Sequence, residues 1–404
     1  MQLLKTLLTR FVQAGTLLVV DADGKSHVFV GPKPGPKVGI RLLDKKLHRS
    51  LFLHPELHAG EAYMDGTLVM QDCTIREFLE FAEINGSNLR KYPLQKLLQK
   101  GLKGIRKLHQ RNDASSARAH VHHHYDLSNE LYKSFLDKDM HYSCAYFAGE
   151  KDSLEVAQQN KLRHIAAKLD LKPGQRVLDI GCGWGGMALY LAAVADVEVL
   201  GVTLSTEQLA LARQRAKERG LENRVKFELM DYRDVIGPFD RIVSVGMFEH
   251  VGIVHYDEFF GKMRDLLKPE GVALLHSIGR KGGPGTTGAW IRKYIFPGGY
   301  SPALSEVLAC VERNKLWVTD IEILRLHYAK TLRAWEQRFQ ANRKEITVLM
   351  DERFCRMWEF YLIASELSFT HGSHMVFQMQ LTRDRHALPI TRDYMTEVEA
   401  KLKS

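Results

Sequence analysis

The run Val177-Leu178-Asp179-Ile180-Gly181-Cys182-Gly183-Trp184-Gly185-Gly186 joins an apolar stretch, ending in an acid, to a turn built on glycines. Gly181 and Gly183 lack a Cβ, so the backbone there turns sharply and approaches a ligand closely. Met187 to Ala195 reads as the helix that follows, and its first N–H groups are free to meet that ligand. Strand, glycine turn and helix in this order make the ligand crevice of an open α/β sheet. A second apolar run, 197–202, follows at βαβ spacing, and a helix pattern starts at Thr206. A dinucleotide site needs an acid at the end of that second strand to hold a ribose. Here the strand ends Gly201-Val202-Thr203-Leu204-Ser205, and G-C-G-W-G lacks the small third glycine at its usual place. Both absences point away from nicotinamide and toward S-adenosylmethionine.

Five strands are expected to carry this chemistry, at 176–180, 197–202, 225–229, 239–245 and 271–277, with helical patterns between them. Such alternation implies a mostly parallel, doubly wound sheet in a catalytic domain over 120–404. The segment 331–364 reads as a helical lid over the ligand cleft. Residues 1–88 read as a small α+β domain. Short strands are expected at 16–20 and 27–30 around an Asp23-Gly24 turn, and another at 38–43. A loop over Pro32, Pro34, Gly35 and Pro36 and a helix over 74–84 complete it. At the N-terminus Leu3, Leu4, Leu7, Leu8 and Phe11 share one helical face with Lys5 and Arg10 nearby, which is an amphipathic helix rather than a secretory leader.

Residues 89–119 form a basic linker. Between Arg90 and Arg118 stand nine Lys or Arg against one acid, Asp113, within a chain of net charge +9. Leu94, Leu97, Leu98, Leu102, Ile105 and Leu108 share a helical face, while Lys96, Lys100, Lys103 and Lys107 project elsewhere. The pattern suits an anionic membrane surface, and it also suits a solvated helix whose leucines pack on the protein. No interleaved aromatics argue for nucleic acid. Five scattered cysteines without a CxxC pair indicate a reducing cytoplasm and no disulfide framework. No apolar run reaches the roughly 18 residues of a membrane span. Adjacent residues of the set His120, His122, His123 and His124 point to opposite faces of an extended segment, so one metal ion does not easily use all four, and no metal site is expected.

Ordered blocks across the second domain resemble the cyclopropane fatty acid synthase family, which includes the mycolic acid methyltransferases. They are His124-Tyr125-Asp126-Leu127-Ser128, Tyr142-Ser143-Cys144-Ala145-Tyr146-Phe147, the glycine turn, Gly201-Val202-Thr203-Leu204-Ser205 and Phe248-Glu249-His250-Val251-Gly252. His276-Ser277-Ile278-Gly279, Tyr294-Ile295-Phe296-Pro297-Gly298-Gly299 and His327-Tyr328-Ala329-Lys330-Thr331-Leu332 complete the set. The added N-terminal domain resembles that of bacterial enzymes acting on membrane phospholipids.

The resemblance implies a class I methyltransferase-type, Rossmann-like doubly wound sheet. It implies methylene transfer from S-adenosylmethionine to a cis double bond of a phospholipid acyl chain, through a carbocation deprotonated by bound bicarbonate. It assigns the anion to the side chains of Glu249, His276 and Tyr328 and to the backbone N–H groups of Cys144 and Ile278. It places Tyr142 and Ser143 at the donor's methionine end, and Val177, Asp179, Gly181, Gly183, Trp184 and Gly185 around the ligand. Thr203, Leu204 and Gln208 fall by the ribose and adenine, and Asp231 and Tyr232 by the adenine edge. Taken singly, Glu249, His276 and Tyr328 also read as a helix-start acid, a core histidine and core filler. Asp231-Tyr232 also reads as a simple turn, and Asp179 as a support of the glycine turn. A nucleophilic Cys144 is not expected, because no base is assigned to it. Where some family members carry a late cysteine, this chain has Ser365. The resemblance further implies a homodimer, peripheral at the cytoplasmic face of a bilayer with unsaturated acyl chains. A relative that stops at a 10-methyl or methylene product, and a lipid-binding protein without activity, are the alternatives.

Overall fold

The computed structural model describes residues 1–89 and 128–402 and divides into two compact units. The basic linker and the four clustered histidines lie outside the described residues.

The first unit is built on a four-stranded sheet of order β2-β1-β3-β4, made of β1 Ala14–Val20, β2 Ser26–Val30, β3 Lys33–Leu42 and β4 Leu68–Gln71. β1 and β2 form the expected hairpin, with Gly24 at φ +78°. The proline-rich segment expected as a loop is instead the start of β3, paired parallel to β1. β4 meets β3 only from Gly39 to Leu42, so on that side the prolines face no partner that needs their missing N–H. Helix α1 Gln2–Phe11 buries Leu4, Leu7 and Phe11 in this unit's core and leaves Leu3 exposed. Helices α2 Leu47–Leu53, α3 Pro55–Met64 and α4 Ile75–Leu89 follow. Fully buried Asn85 of α4 accepts from the N–H of Gln13 and Ala14 (2.8 and 3.0 Å) and donates to the Ala14 carbonyl, tying the helix to β1.

Two stretches from far along the chain, Thr286–Pro297 and Leu332–Ser373, cluster with this N-terminal sheet. The region read as a lid therefore contributes to the same compact unit as the first residues. There Trp290 sits so close to Gly60 that a Cβ on the glycine would approach the ring to 2.4 Å.

The second unit holds a seven-stranded sheet of order β10-β11-β9-β8-β5-β6-β7. Its strands are β5 Gln175–Ile180, β6 Val197–Thr203, β7 Val225–Leu229, β8 Phe239–Val245, β9 Leu267–Arg280, β10 Trp317–Ile323 and β11 His374–Thr382. The five expected strands are β5 to β9, and the ladders joining them are all parallel. β11 runs antiparallel to β9 and β10 antiparallel to β11. These two strands escaped the sequence pattern for a physical reason. β11 buries Gln378, Gln380 and Thr382, which break an apolar run, and β10 is half exposed. Helices α5 Asn129–Phe135, α6 Leu154–Leu169, α7 Gly186–Val194, α8 Thr206–Glu218, α9 Tyr256–Leu266 and α11 Leu304–Arg313 belong to this unit. Ser128, Ser153 and Ser205 cap α5, α6 and α8 by accepting a backbone N–H in the first turn. Helix α10 Ala289–Tyr294, α13 Arg343–Leu349 and α14 Glu352–Thr370 belong to the first unit, α15 Asp393–Lys401 to the second, and α12 His327–Ala341 starts in the second and ends in the first.

Candidate active site

The chain leaves β5 for β6 on one side and later returns to β8 on the other, so the sheet's switch point lies at the carboxyl end of β5. A cleft opens there. It is lined by Tyr142 and Ser143, by Asp179, Gly181, Gly183 and Trp184, by Thr203, Leu204 and Gln208, and by Asp231 and Tyr232. Gly181, Gly183 and Gly185 all have positive φ. A Cβ on Gly181 would strike Met247 at 2.7 Å, whereas one on Gly183 would meet nothing within 4 Å. Gly183 thus presents bare backbone to the cleft.

Eleven of the thirteen residues assigned to the donor by resemblance line this cleft, and two do not. Val177 is fully buried in the core on its sheet face. Gly185 turns toward that core, where a Cβ would come 2.6 Å from the Phe227 ring. Asp231 lines the cleft, but its carboxylate is held bidentately by Arg233 (2.9 and 2.7 Å). Thr203 donates to the Gln208 carbonyl oxygen at 3.0 Å, which orients the amide nitrogen as a donor.

Sequence reading missed several lining residues, among them His141, Lys161 and Arg233. Lys161 is buried and donates to Ser143 Oγ at 3.0 Å. Burial pulls its ammonium down to about 8, against the pull of Asp137, Cys144 and Asp179. A signal existed. Leu154, Ala157, Lys161, Ile165 and Lys168 fall on the buried stripe of α6, so two lysines interrupt an otherwise apolar face. Burial also pushes Asp179 up to about 7, although the Ala188 N–H and Lys161 oppose it, and its Oδ2 has no hydrogen-bond partner. Arg215 ties the cleft floor together by donating to the carbonyls of Trp184 (2.8 Å) and Asp139 (3.0 Å).

The five residues assigned to an anion are not among those lining the donor cleft. Two are the sequence neighbours of cleft residues: Cys144 follows Ser143, and Glu249 precedes His250. Glu249 Oε1 accepts from the Ile278 N–H at 2.6 Å, so in this structure that N–H serves the carboxylate rather than a ligand. The other oxygen, Oε2, is buried and unpartnered. Burial drives Glu249 up to about 7, with the Ile278 N–H acting the other way. His276 is 2% exposed and lies two residues from Ile278 on the same face of β9. Burial, then the charges of Lys161, Lys168 and His164, hold its ring far below the usual histidine range, so it is neutral. Tyr328, 8% exposed, stands in the first turn of α12. Burial raises the Cys144 thiol, which therefore stays protonated and is no nucleophile. The adjacent Ala145 N–H donates to Thr331 Oγ1 at 3.0 Å, anchoring the Cys144 loop to α12.

A glycine-built cleft at the switch point of a seven-stranded sheet in which β11 alone runs against the other strands defines a class I S-adenosylmethionine-dependent methyltransferase. Solved structures agree: a mycolic acid cyclopropane synthase, CmaA1, complexed with SAH and CTAB, aligns with TM-score 0.62 and 35% identity over 65% of this chain and 97% of that one. The family model described as mycolic acid cyclopropane synthetase matches residues 112–379, and the chain belongs to that family. A probable fatty acid methyltransferase of Pseudomonas putida is 37% identical over 378 residues, covering 90% of this chain and 92% of the relative. The cyclopropane-fatty-acyl-phospholipid synthase of Escherichia coli (strain K12) is 47% identical over 260 residues, 64% of this chain and 66% of the relative. The chain is thus a lipid-modifying methyltransferase of the cyclopropane synthase type.

Proposed function

We propose that this enzyme builds cyclopropane rings at cis double bonds of phospholipid acyl chains, with bicarbonate as the base. The observation that carries the reading is that Glu249 is bound to β9 two residues from His276. Glu249 holds the Ile278 N–H, keeps an unpartnered carboxylate oxygen and is poised near neutrality. Two residues along the same strand stands a neutral imidazole. A small anion that bears its own hydroxyl satisfies both, because the O–H donates to Glu249 while an oxygen accepts from His276. Tyr328 and the backbone of Cys144 complete the set by resemblance.

S-adenosylmethionine supplies an electrophilic methyl group, and bicarbonate supplies a base close to it. The donor's carboxylate and ammonium suit Ser143 with Lys161, and Asp179, respectively. Thr203 and Gln208 suit its ribose, and Gly183 gives close backbone approach. Burial of Glu249 and His276 keeps bulk water from the cation that forms on the acyl chain.

Among the described residues no helix is long and apolar enough to cross a membrane. We assign bilayer contact to the basic linker, peripherally at an anionic cytoplasmic surface, and a homodimer as the working assembly. The deciding experiment supplies labelled S-adenosylmethionine and vesicles of unsaturated phospholipid, with and without bicarbonate. Ring protons at high field in the product lipid, and turnover that falls on bicarbonate depletion, support the reading. Methylene or 10-methyl signals in their place would establish the second reading, that of a fatty acyl methyltransferase that does not close the ring. No release of S-adenosylhomocysteine under either condition defeats both.

A further inference from the structure

His276, Gln378 and Glu322 stand in one row across three neighbouring strands. His276 of β9 pairs directly with Gln378 of β11, and Gln378 pairs directly with Glu322 of β10. Directly paired residues project from the same face, so their side chains meet. The Gln378 side-chain amide lies 3.2 Å from His276 Nδ1. One cation from α6 ties the row together: Lys168 Nζ donates to Gln378 Oε1 at 2.7 Å and also bonds Glu322. Glu322 in turn is bonded by His164 at 2.6 Å.

The hydrogen bonds of this row have only one consistent arrangement. An ammonium donates and never accepts, so the atom of Gln378 facing Lys168 is the carbonyl oxygen. The amide nitrogen must then face His276, and it only donates. Nδ1 must therefore accept, which leaves the ring hydrogen on Nε2. Among the described residues nothing is hydrogen-bonded to Nε2. Burial works against ionised Glu322, yet the bond from His164 and the charge of Lys168 prevail and hold it at about 2, so it stays the anion that keeps Lys168 charged and in place.

We infer that Lys168 and Gln378 are positioning residues that lock His276 as the neutral Nε2–H tautomer, making it a standing hydrogen-bond donor to the substrate-side anion and not a base. The tautomer follows from the hydrogen bonds alone; its use toward an anion rests on the bicarbonate reading above. In the family reaction as proposed, proton removal then falls to the bound anion, since an imidazole whose one lone pair is engaged by Gln378 has none to offer the cation.

The test is nitrogen NMR of the full-length enzyme carrying isotope-labelled histidine, with the His276 signal identified by its loss in His276→Asn. The expected result is one protonated Nε2 and one unprotonated Nδ1, unchanged across neutral pH. A Nδ1–H ring or an imidazolium overturns the inference. In Gln378→Glu a carboxylate faces Nδ1, so the proton moves to Nδ1 or the ring gains a second one, and turnover drops about 10–100-fold while donor affinity holds. Lys168→Met frees the amide to rotate and yields a mixture of tautomers. An unaltered tautomer in both variants also overturns the inference. If the wild-type tautomer is as expected but turnover ignores bicarbonate, the proposed anion fails and the tautomer assignment stands.

Discussion

The donor cleft and the polar row are built on opposite principles. The cleft is made largely of backbone and of residues close in sequence: the turn at 181–184, the strand end at 203–204, the loop at 142–143. The polar row draws His276, Gln378, Glu322 and Lys168 from three strands and a helix, and each is a side chain with a defined donor or acceptor role. A backbone cradle tolerates varied side chains but needs glycine where φ is positive. A side-chain network tolerates varied backbone but fails when one member changes hydrogen-bonding character. Binding and chemistry should therefore respond to different substitutions.

Glu249 stands outside the cleft and holds β9 two residues from His276, so Glu249→Ala is the sharpest way to break that division. We expect turnover to fall about 100-fold or more, with the dissociation constant for S-adenosylhomocysteine by calorimetry changed less than about threefold. A collapse of donor binding would merge the two regions into one.

The next effect is on stability. Glu249 is raised from 4.5 to about 7 in the folded chain. The folded state then holds a proton that the unfolded state has lost between those values. Its stability contribution is complete below about pH 4.5 and is lost as the pH rises through about 7, by an amount on the order of 3 kcal/mol. Glu249→Gln removes this dependence. In denaturant titrations the variant should gain on wild type as the pH rises from 4.5 to 7, and a constant difference would show that the carboxyl group does not titrate in that window.

Gly185→Ala and Gly60→Ala separate glycines that pack from a glycine that binds. Gly185 combines φ +82° with a Phe227 ring that an added Cβ would meet at 2.6 Å, and Gly60 faces Trp290. Each replacement should cost about 1–3 kcal/mol by thermal or denaturant unfolding, Gly60→Ala with no change in donor affinity. Gly183→Ala should weaken donor binding out of proportion to its stability cost of about 1 kcal/mol, because its Cβ enters the cleft. The smallest effect is expected of Cys144→Ser. The thiol is protonated and donates to its neighbour's carbonyl at 3.3 Å. Turnover that vanished in this variant would restore the thiol as a reacting group.

Legibility in sequence follows the same division. The parallel strands β5, β6 and β8 are largely buried and rich in apolar residues, β9 is so over its core stretch, and the edge strand β7 alternates buried Val225 and Phe227 with exposed Lys226, so their positions were visible. The glycine turn was visible because residues 181–185 are contiguous. Lys161 and Lys168 were hidden on the buried stripe of α6, where a lysine ordinarily marks the solvent side. β11 was hidden by its own polar residues, since Gln378 interrupts the apolar pattern that identifies a strand. Val177 and Ile278 were assigned by position in a motif. A motif does not say that one side chain faces the core and that the other residue's N–H is already taken by Glu249.

Sequence alone thus determined the family, the sheet's parallel core and the glycine turn, because local patterning and contiguous motifs encode them. Only the tertiary structure decided which unit receives residues 286–297 and 332–373, which of the matched residues reach the cleft, and which ring nitrogen of His276 carries hydrogen. Those outcomes depend on strand register and on burial, which are set by contacts between residues far apart in the chain and leave no trace in local composition.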